Sequence, residues 1–156
     1  MQEVPDLAAF QALRLYARQS RLIDTGDARG WAATFTPDGV FASPSYPAPA
    51  VGTDELVAFA QRYAAQGEAT ATVSRHVVTN VDVLPGADVD HLVAHAYLQI
   101  VATPAAGESR LVRLTTLTDQ LVRADGTWRV ARRDVVRDDQ PATPAAPAAP
   151  AEGSDA

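Results

Sequence analysis

Apolar side chains in this chain recur with a helical period up to about residue 66 and with a two-residue alternation from Ser74 onward. A chain whose helical segments come first and whose strand segments follow builds an α+β layer architecture rather than alternating βαβ units. The helical half begins at Asp6, which stands where an N-cap would. Ala9, Leu13, Tyr16, Ser20 and Ile23 then form a stripe that runs to about Asp24, and Thr25-Gly26 ends it. Asp27 is placed to cap a second, short helix through Trp31 to Phe35. The turn Thr36-Pro37-Asp38-Gly39 leads into a short strand, Val40–Ala42, followed by a proline-rich loop, Pro44–Pro49. Gly52-Thr53-Asp54-Glu55 opens a third helix to about Gln66, with Leu56, Phe59, Ala60 and Tyr63 on one face.

Four long segments rich in Val, Thr and Leu follow: Ser74–Leu84, Leu92–Thr103, Arg110–Arg123 and Thr127–Val136. Pro85–Asp88 and Ala124-Asp125-Gly126 join them as hairpin turns, which predicts an antiparallel meander. Three helices laid on one face of such a curved sheet leave a half-open cone with an apolar interior. At 156 residues the chain is one domain's worth, assigned to residues 1–139. Residues 140–156, nearly all Ala, Pro, Gly and Ser with prolines at a three-residue step, read as a disordered or polyproline-II tail.

Composition removes several chemistries. All 13 basic residues are Arg and there is no Cys, so Schiff-base lysines, P-loop lysines, thiolate nucleophiles, disulfides and cysteine-based zinc sites are excluded. A net charge of -6 without a basic run provides no electrostatic footprint for nucleic acid. The N-terminus lacks a signal-like apolar stretch and no run is long enough to span a membrane, so the expectation is a cytoplasmic protein that binds neither nucleic acid nor membrane. Nucleophile-elbow, glycine-rich nucleotide and His-Glu-x-x-His motifs are missing too.

What remains for chemistry is Asp24 and the histidines. Asp24 lies 11 positions after Leu13, close to three turns, and so points with the apolar stripe. A carboxylate there, at a helix C-terminus, needs a partner to offset desolvation and the macrodipole. That partner is either a functional group or the backbone N–H groups of the Thr25-Gly26 corner. For His76, alternation from Val77, Val81 and Val83 as core residues puts the imidazole on the opposite face, unless the strand is bulged or the concave face is the one His76 occupies. His91 and His95, four apart on a strand, are ~13 Å apart and cannot share a metal ion. His95 and Tyr97 share the more polar face of their strand. Arg132, Arg133 and Arg137, mixed with Asp134, Asp138 and Asp139, read as a solvated edge. Tyr16, Trp31, Phe35, Phe41, Phe59 and Tyr63 concentrate aromatic rings in the helical half, suited to core or to the lining of a site for a flat ligand.

The segments Leu22-Ile23-Asp24-Thr25-Gly26-Asp27, Trp31–Phe41, Gly52–Leu56, Arg75–Asn80 and Asp125–Ala131 together resemble the SnoaL-like branch of the nuclear transport factor 2-like superfamily, over about residues 7–137. The resemblance implies a cone of three helices on a strongly curved, mostly antiparallel sheet, dimerising through the outer sheet face that carries His95 and Tyr97. It implies a cofactor-independent cyclase, dehydratase or isomerase, without a metal, acting on a polyketide-like or polycyclic small molecule. Asp24 and His76 are similar in position to the first-helix aspartate and one pocket histidine of scytalone dehydratase; its second histidine and a tyrosine fall at Val101 and Ile23. The proton-abstracting aspartate of ketosteroid isomerase falls at Ser43. In this reading His76 is the general acid/base, Asp24 fixes its tautomer, and the six aromatics bind substrate. The same fold also serves as a ligand-binding module or as the small structural subunit of a ring-hydroxylating oxygenase, the alternative function.

Overall fold

Pro5 precedes the first helix and holds extended backbone at its N-cap, so the helix α1 spans Asp6–Asp24 with Asp6 inside the first turn rather than capping it. A computed structural model describes residues 3–140 of the chain; the tail assigned to residues 140–156 lies, beyond Gln140, outside the described residues. The buried face of α1 is Ala8, Ala12, Tyr16, Gln19 and Ile23, while Leu7, Phe10 and Leu13 are exposed. This corrects the stripe expected from Ala9 and Leu13. The two small alanines let the helix lie close to the sheet, and Gln19 is drawn inward by a hydrogen-bonded network described below.

The short helix α2 spans Ala28–Ala32, and the Asp27 carboxylate accepts from the Gly30 N–H at 2.8 Å. A Cβ on Gly30 would lie 2.4 Å from that carboxylate, so the cap requires glycine there. Phe35 opens strand β1 (Phe35–Ala42) instead of closing α2. The expected turn Thr36–Gly39 sits inside β1 as an irregularity, since Phe35 faces Val130 and Val40 faces Arg132. A two-residue strand, β2 (Ala50–Val51), precedes α3 (Gly52–Ala69), so the helices are interrupted by strands.

Then come β3 (Thr72–Pro85), β4 (His91–Pro104), β5 (Arg110–Ala124) and β6 (Thr127–Arg137). The six strands form one sheet in the order β2-β1-β6-β5-β4-β3, antiparallel throughout except for the parallel β1–β6 pair. Asp125 and Gly126 both have positive φ, 52° and 72°, the geometry of the tight hairpin turn expected from Asp-Gly.

Two bulges decide which side chains face the helices. In β3, Thr79 faces Tyr97 but Asp82 faces His95, one residue too many, and Asn80 absorbs the excess at φ 52°. In β6, Gln120 pairs with Arg132 and Leu121 with Val130, leaving Ala131 as the extra residue. Parity therefore changes along both strands: His76 and Val78 face the same side as Val81 and Val83, and Arg133 the same side as Val130. The core between helices and sheet contains Tyr16, Ile23, Trp31, Phe35, Leu56, Phe59, Leu98, Ile100, Leu117, Leu121, Trp128 and Val130. Among the described residues no helix is long and apolar enough to cross a membrane.

Candidate active site

A cavity opens between the helices and the concave half of the sheet. Its aromatic wall is Tyr16, Trp31, Phe41, Tyr46, Phe59 and Tyr63, and its sheet floor is His76, Val78, Leu98, Ile100, Thr115, Leu117 and Val135. The rings pack on one another: Trp31 to Phe59 at 5.5 Å, Phe41 to Phe59 at 4.8 Å and Tyr46 to Phe59 at 4.8 Å between centroids. Phe35 stands outside the lining. It is buried behind Trp31, with 4.9 Å between their rings, and belongs to the core.

Asp24 and His76 meet. His76 Nδ1 is 2.7 Å from Asp24 Oδ1, and the His76 backbone N–H donates to both carboxylate oxygens at 3.1 and 3.2 Å. The partner demanded by a carboxylate at a helix C-terminus is therefore the imidazole together with a β3 backbone N–H, rather than the Thr25-Gly26 corner. Both side chains are largely buried, 10% exposed for Asp24 and 14% for His76. An acceptor at Nδ1 places the ring proton on that nitrogen, which leaves Nε2 with its lone pair as the ring atom free for a ligand. The Tyr63 ring lies 5.4 Å from the imidazole. Burial, helped by Tyr46 and Asp24 and opposed by Ser74, holds the Tyr63 hydroxyl above the usual phenol range, so it stays protonated and can donate.

A second constellation is hidden in the sequence. Asp119, fully buried, and Arg133, 6% exposed, are cross-strand neighbours on β5 and β6. Arg133 donates through Nε at 2.9 Å and Nη2 at 2.6 Å to the two Asp119 oxygens, and through Nη2 to Gln19 Oε1 at 2.8 Å. Tyr16 donates its hydroxyl to Asp119 at 2.7 Å, and Gln19 donates to Thr34 at 2.7 Å. Burial works against the Arg133 charge, but Asp119 more than offsets it. Burial and the Asp119 charge hold the Tyr16 hydroxyl far above its ordinary range. Tyr16 thus presents its ring to the cavity while its hydroxyl is committed elsewhere.

The solvated-edge expectation is corrected for Arg133, which the Ala131 bulge turns inward. It holds for Arg132, which pairs with the exposed Asp134. Ser43, Ser45, Tyr46 and Arg113 also line the cavity; Ser43 is the position at which the ketosteroid isomerase aspartate falls, and Arg113 continues the alternation of Thr115 and Leu117 along β5. His91 is exposed and bonded to Asp88, while His95 sits apart with Nδ1 3.3 Å from Thr118. Tyr97 is 51% exposed on the other face of the sheet.

The SnoaL-like domain family matches residues 8–134, and the chain belongs to that family. Two solved structures extend the likeness. One is ActVI-ORFA from Streptomyces coelicolor, 25% identical with a TM-score of 0.78 over 86% of this chain and 97% of that one. The other is a protein from Catenulispora acidiphila in complex with S-DNPA, 28% identical with a TM-score of 0.75 over 86% of this chain and 96% of that one. A nuclear transport factor 2-like protein with a cystatin-like fold from Novosphingobium aromaticivorans, 23% identical with a TM-score of 0.70 over 89% and 92% of the two chains, shares the fold alone. No curated protein matches the chain.

Proposed function

We propose that this protein is a cofactor-independent acid/base enzyme, a cyclase, dehydratase or isomerase acting on a polyketide-like or polycyclic small molecule held in the aromatic cavity. The observation that carries the reading is the 2.7 Å Asp24–His76 bond with the imidazole on the cavity wall. Family membership and the small-molecule complex of the Catenulispora acidiphila relative support it.

Nε2 of His76 takes a proton from an acidic C–H beside a carbonyl. The C–H electron pair moves onto the carbonyl oxygen, which the Tyr63 hydroxyl stabilises as a donor. Asp24 stabilises the resulting imidazolium and holds its orientation. Return of that proton to a departing hydroxyl completes a dehydration, and return to a different carbon completes an isomerisation. Trp31, Phe41 and Phe59 hold a flat ligand by stacking and exclude water from the proton transfer.

Hydrogen–deuterium exchange at the α-carbon of fused-ring hydroxyketones, followed by NMR in D2O, tests the base whatever the eventual product. The protein is expected to accelerate exchange, and His76→Gln to reduce that acceleration ~100-fold or more while ligand still quenches tryptophan fluorescence in a Trp128→Phe background. Binding with undiminished exchange in His76→Gln removes His76 from the role. Binding without exchange in either form returns the chain to a ligand-binding module.

The outer sheet face carries Val77, Tyr97, Leu114 and Val136, each at least 40% exposed. We assign this patch to a homodimer contact, since an apolar sheet surface of this kind is costly to leave in water. Sedimentation at micromolar concentration is expected to give twice the chain mass, and Tyr97→Arg to give a monomer. A wild-type monomer excludes the contact.

A further inference from the structure

Helix α1 has two faces, and only the inner one is explained by the cavity. Tyr16, Gln19 and Ile23 line the cavity from that inner face. The outer face exposes Leu7, Phe10, Leu13, Arg14, Ala17, Arg18 and Arg21. Leu7 is 67% and Phe10 56% exposed, large values for apolar residues in a helix that also has a buried side. Between Asp6 and Asp24 the helix has three arginines and no acidic residue, in a chain whose net charge is -6. Asp24 is turned inward to His76. Most arginines among the described residues form no salt bridge, so the missing partners alone mean little. What distinguishes α1 is that positive charge and bulky apolar side chains are sorted onto one side of one helix.

The spacing of that side is specific. Leu7, Phe10, Arg14, Ala17 and Arg21 follow one another at intervals of three, four, three and four, the seam by which one helix packs along another. Arg18 lies beside the seam, four residues after Arg14. The Arg14 guanidinium carbon is 6.0 Å from the centroid of the Phe10 ring, so this side chain lies back along the seam. The seam is ~21 Å long at 1.5 Å per residue, with its apolar residues in the first turns and its arginines in the last. Beside Leu7 a groove lined by Val4, Pro5, Ala8, Val89 and Leu92 widens the apolar end, and Val89 is 66% exposed. A helix lying in a lipid surface needs apolar residues along its whole length, with basic residues flanking them. The lengthwise division seen here matches a second helix whose apolar residues and carboxylates are divided in the same way.

We propose that the outer face of α1 is a docking surface for an acidic amphipathic helix of another protein. Apolar side chains of that helix cover Leu7 and Phe10 and enter the adjoining groove, and its carboxylates pair with Arg14, Arg18 and Arg21. The partner sits on the helix that backs the cavity and leaves the cavity itself free. The surface is independent of the reaction assigned to His76.

Fluorescence anisotropy with labelled helical peptides of 22 residues tests this on the full chain. One peptide has leucines at its first two seam positions and glutamates at and beside the rest; the control has glutamine for every glutamate. The glutamate peptide is expected to bind ~10-fold or more tightly, with the preference shrinking as salt rises. Combining Arg14→Gln, Arg18→Gln and Arg21→Gln is expected to abolish the preference, whereas Arg62→Gln, Arg75→Gln and Arg110→Gln together leave it intact. Phe10→Gln is expected to weaken both peptides. All these positions are exposed, so thermal unfolding is expected to stay unchanged. Equal binding of the two peptides, or a preference that survives loss of the three α1 arginines, overturns the proposal. Two further results also overturn it by assigning the face elsewhere: recruitment to phosphatidylglycerol-containing vesicles that depends on those arginines, and loss of self-association in Phe10→Gln.

Discussion

Asp119→Ala is expected to destabilise the protein by about 3–5 kcal/mol, a large part of the ~5–15 kcal/mol that holds a domain of this size together. Among the described residues the carboxylate is the sole anion bonded to Arg133, and both groups lie inside the sheet–helix interface. Removing it leaves a largely buried guanidinium without its counter-charge, and it also leaves the Tyr16 hydroxyl without an acceptor. The cost comes from the charge left behind rather than from the strength of the pair. Asp119→Leu combined with Arg133→Met is therefore expected to recover most of the loss, since the double variant deserts only the neutral Tyr16 and Gln19 groups. Urea denaturation of the wild type and both variants measures this. A single-variant cost below ~1 kcal/mol would mean that Arg133 finds water or another acceptor, and the network would then be incidental to stability.

Asp24→Asn is expected to cut catalysed α-carbon exchange ~100-fold or more with little change in folding. An asparagine fits the same space, and its carbonyl oxygen can still accept the His76 backbone N–H. Its NH2 group then faces Nδ1 and requires a lone pair there, which moves the ring proton to Nε2. The neutral imidazole keeps its place but presents a proton where the mechanism needs a lone pair. Asp24→Ala would lose the same activity for a less informative reason, because the ring would be free to turn. Exchange kinetics together with 15N chemical shifts of the imidazole separate the two cases: full activity in Asp24→Asn with the tautomer exchanged would remove Asp24 from the mechanism.

Much of this arrangement is legible in residue order, and the exceptions share a cause. The four long strands and the Asp125-Gly126 turn appear because alternation and turn chemistry are local properties. Asp24 stands out by its need for a partner at a helix end, although Leu13, which sets its phase in the sequence, is exposed. The face of His76 stays open in the sequence because a bulge depends on the pairing of two strands and has no reliable one-strand signature. An asparagine inside a valine-rich run, able to adopt positive φ, is the available hint at position 80. Arg133 reads wrongly as a solvated residue for the same reason, one extra residue at Ala131. Its partner is accessible by simpler means: Thr115, Leu117, Asp119 and Leu121 alternate along β5, so a carboxylate sits in the middle of a buried face. The parallel β1–β6 pairing joins segments almost a hundred residues apart and leaves no local trace.

The bonds that finish this cavity also set a timetable for the growing chain. Gln19 and Arg133 are 114 positions apart, and Tyr16 and Asp119 are 103 apart. At ~5–20 residues per second, the first helix waits ~6–23 s on the ribosome before its polar partners on the last strands have been synthesised. Through that interval its inward face must stay uncommitted, and the polar Gln19 in the middle of that face keeps it from being a continuous apolar surface. The ligand site is consequently among the last features of the molecule to exist, and a chain cut short before Arg133 would carry the Asp24–His76 pair without the wall that encloses it.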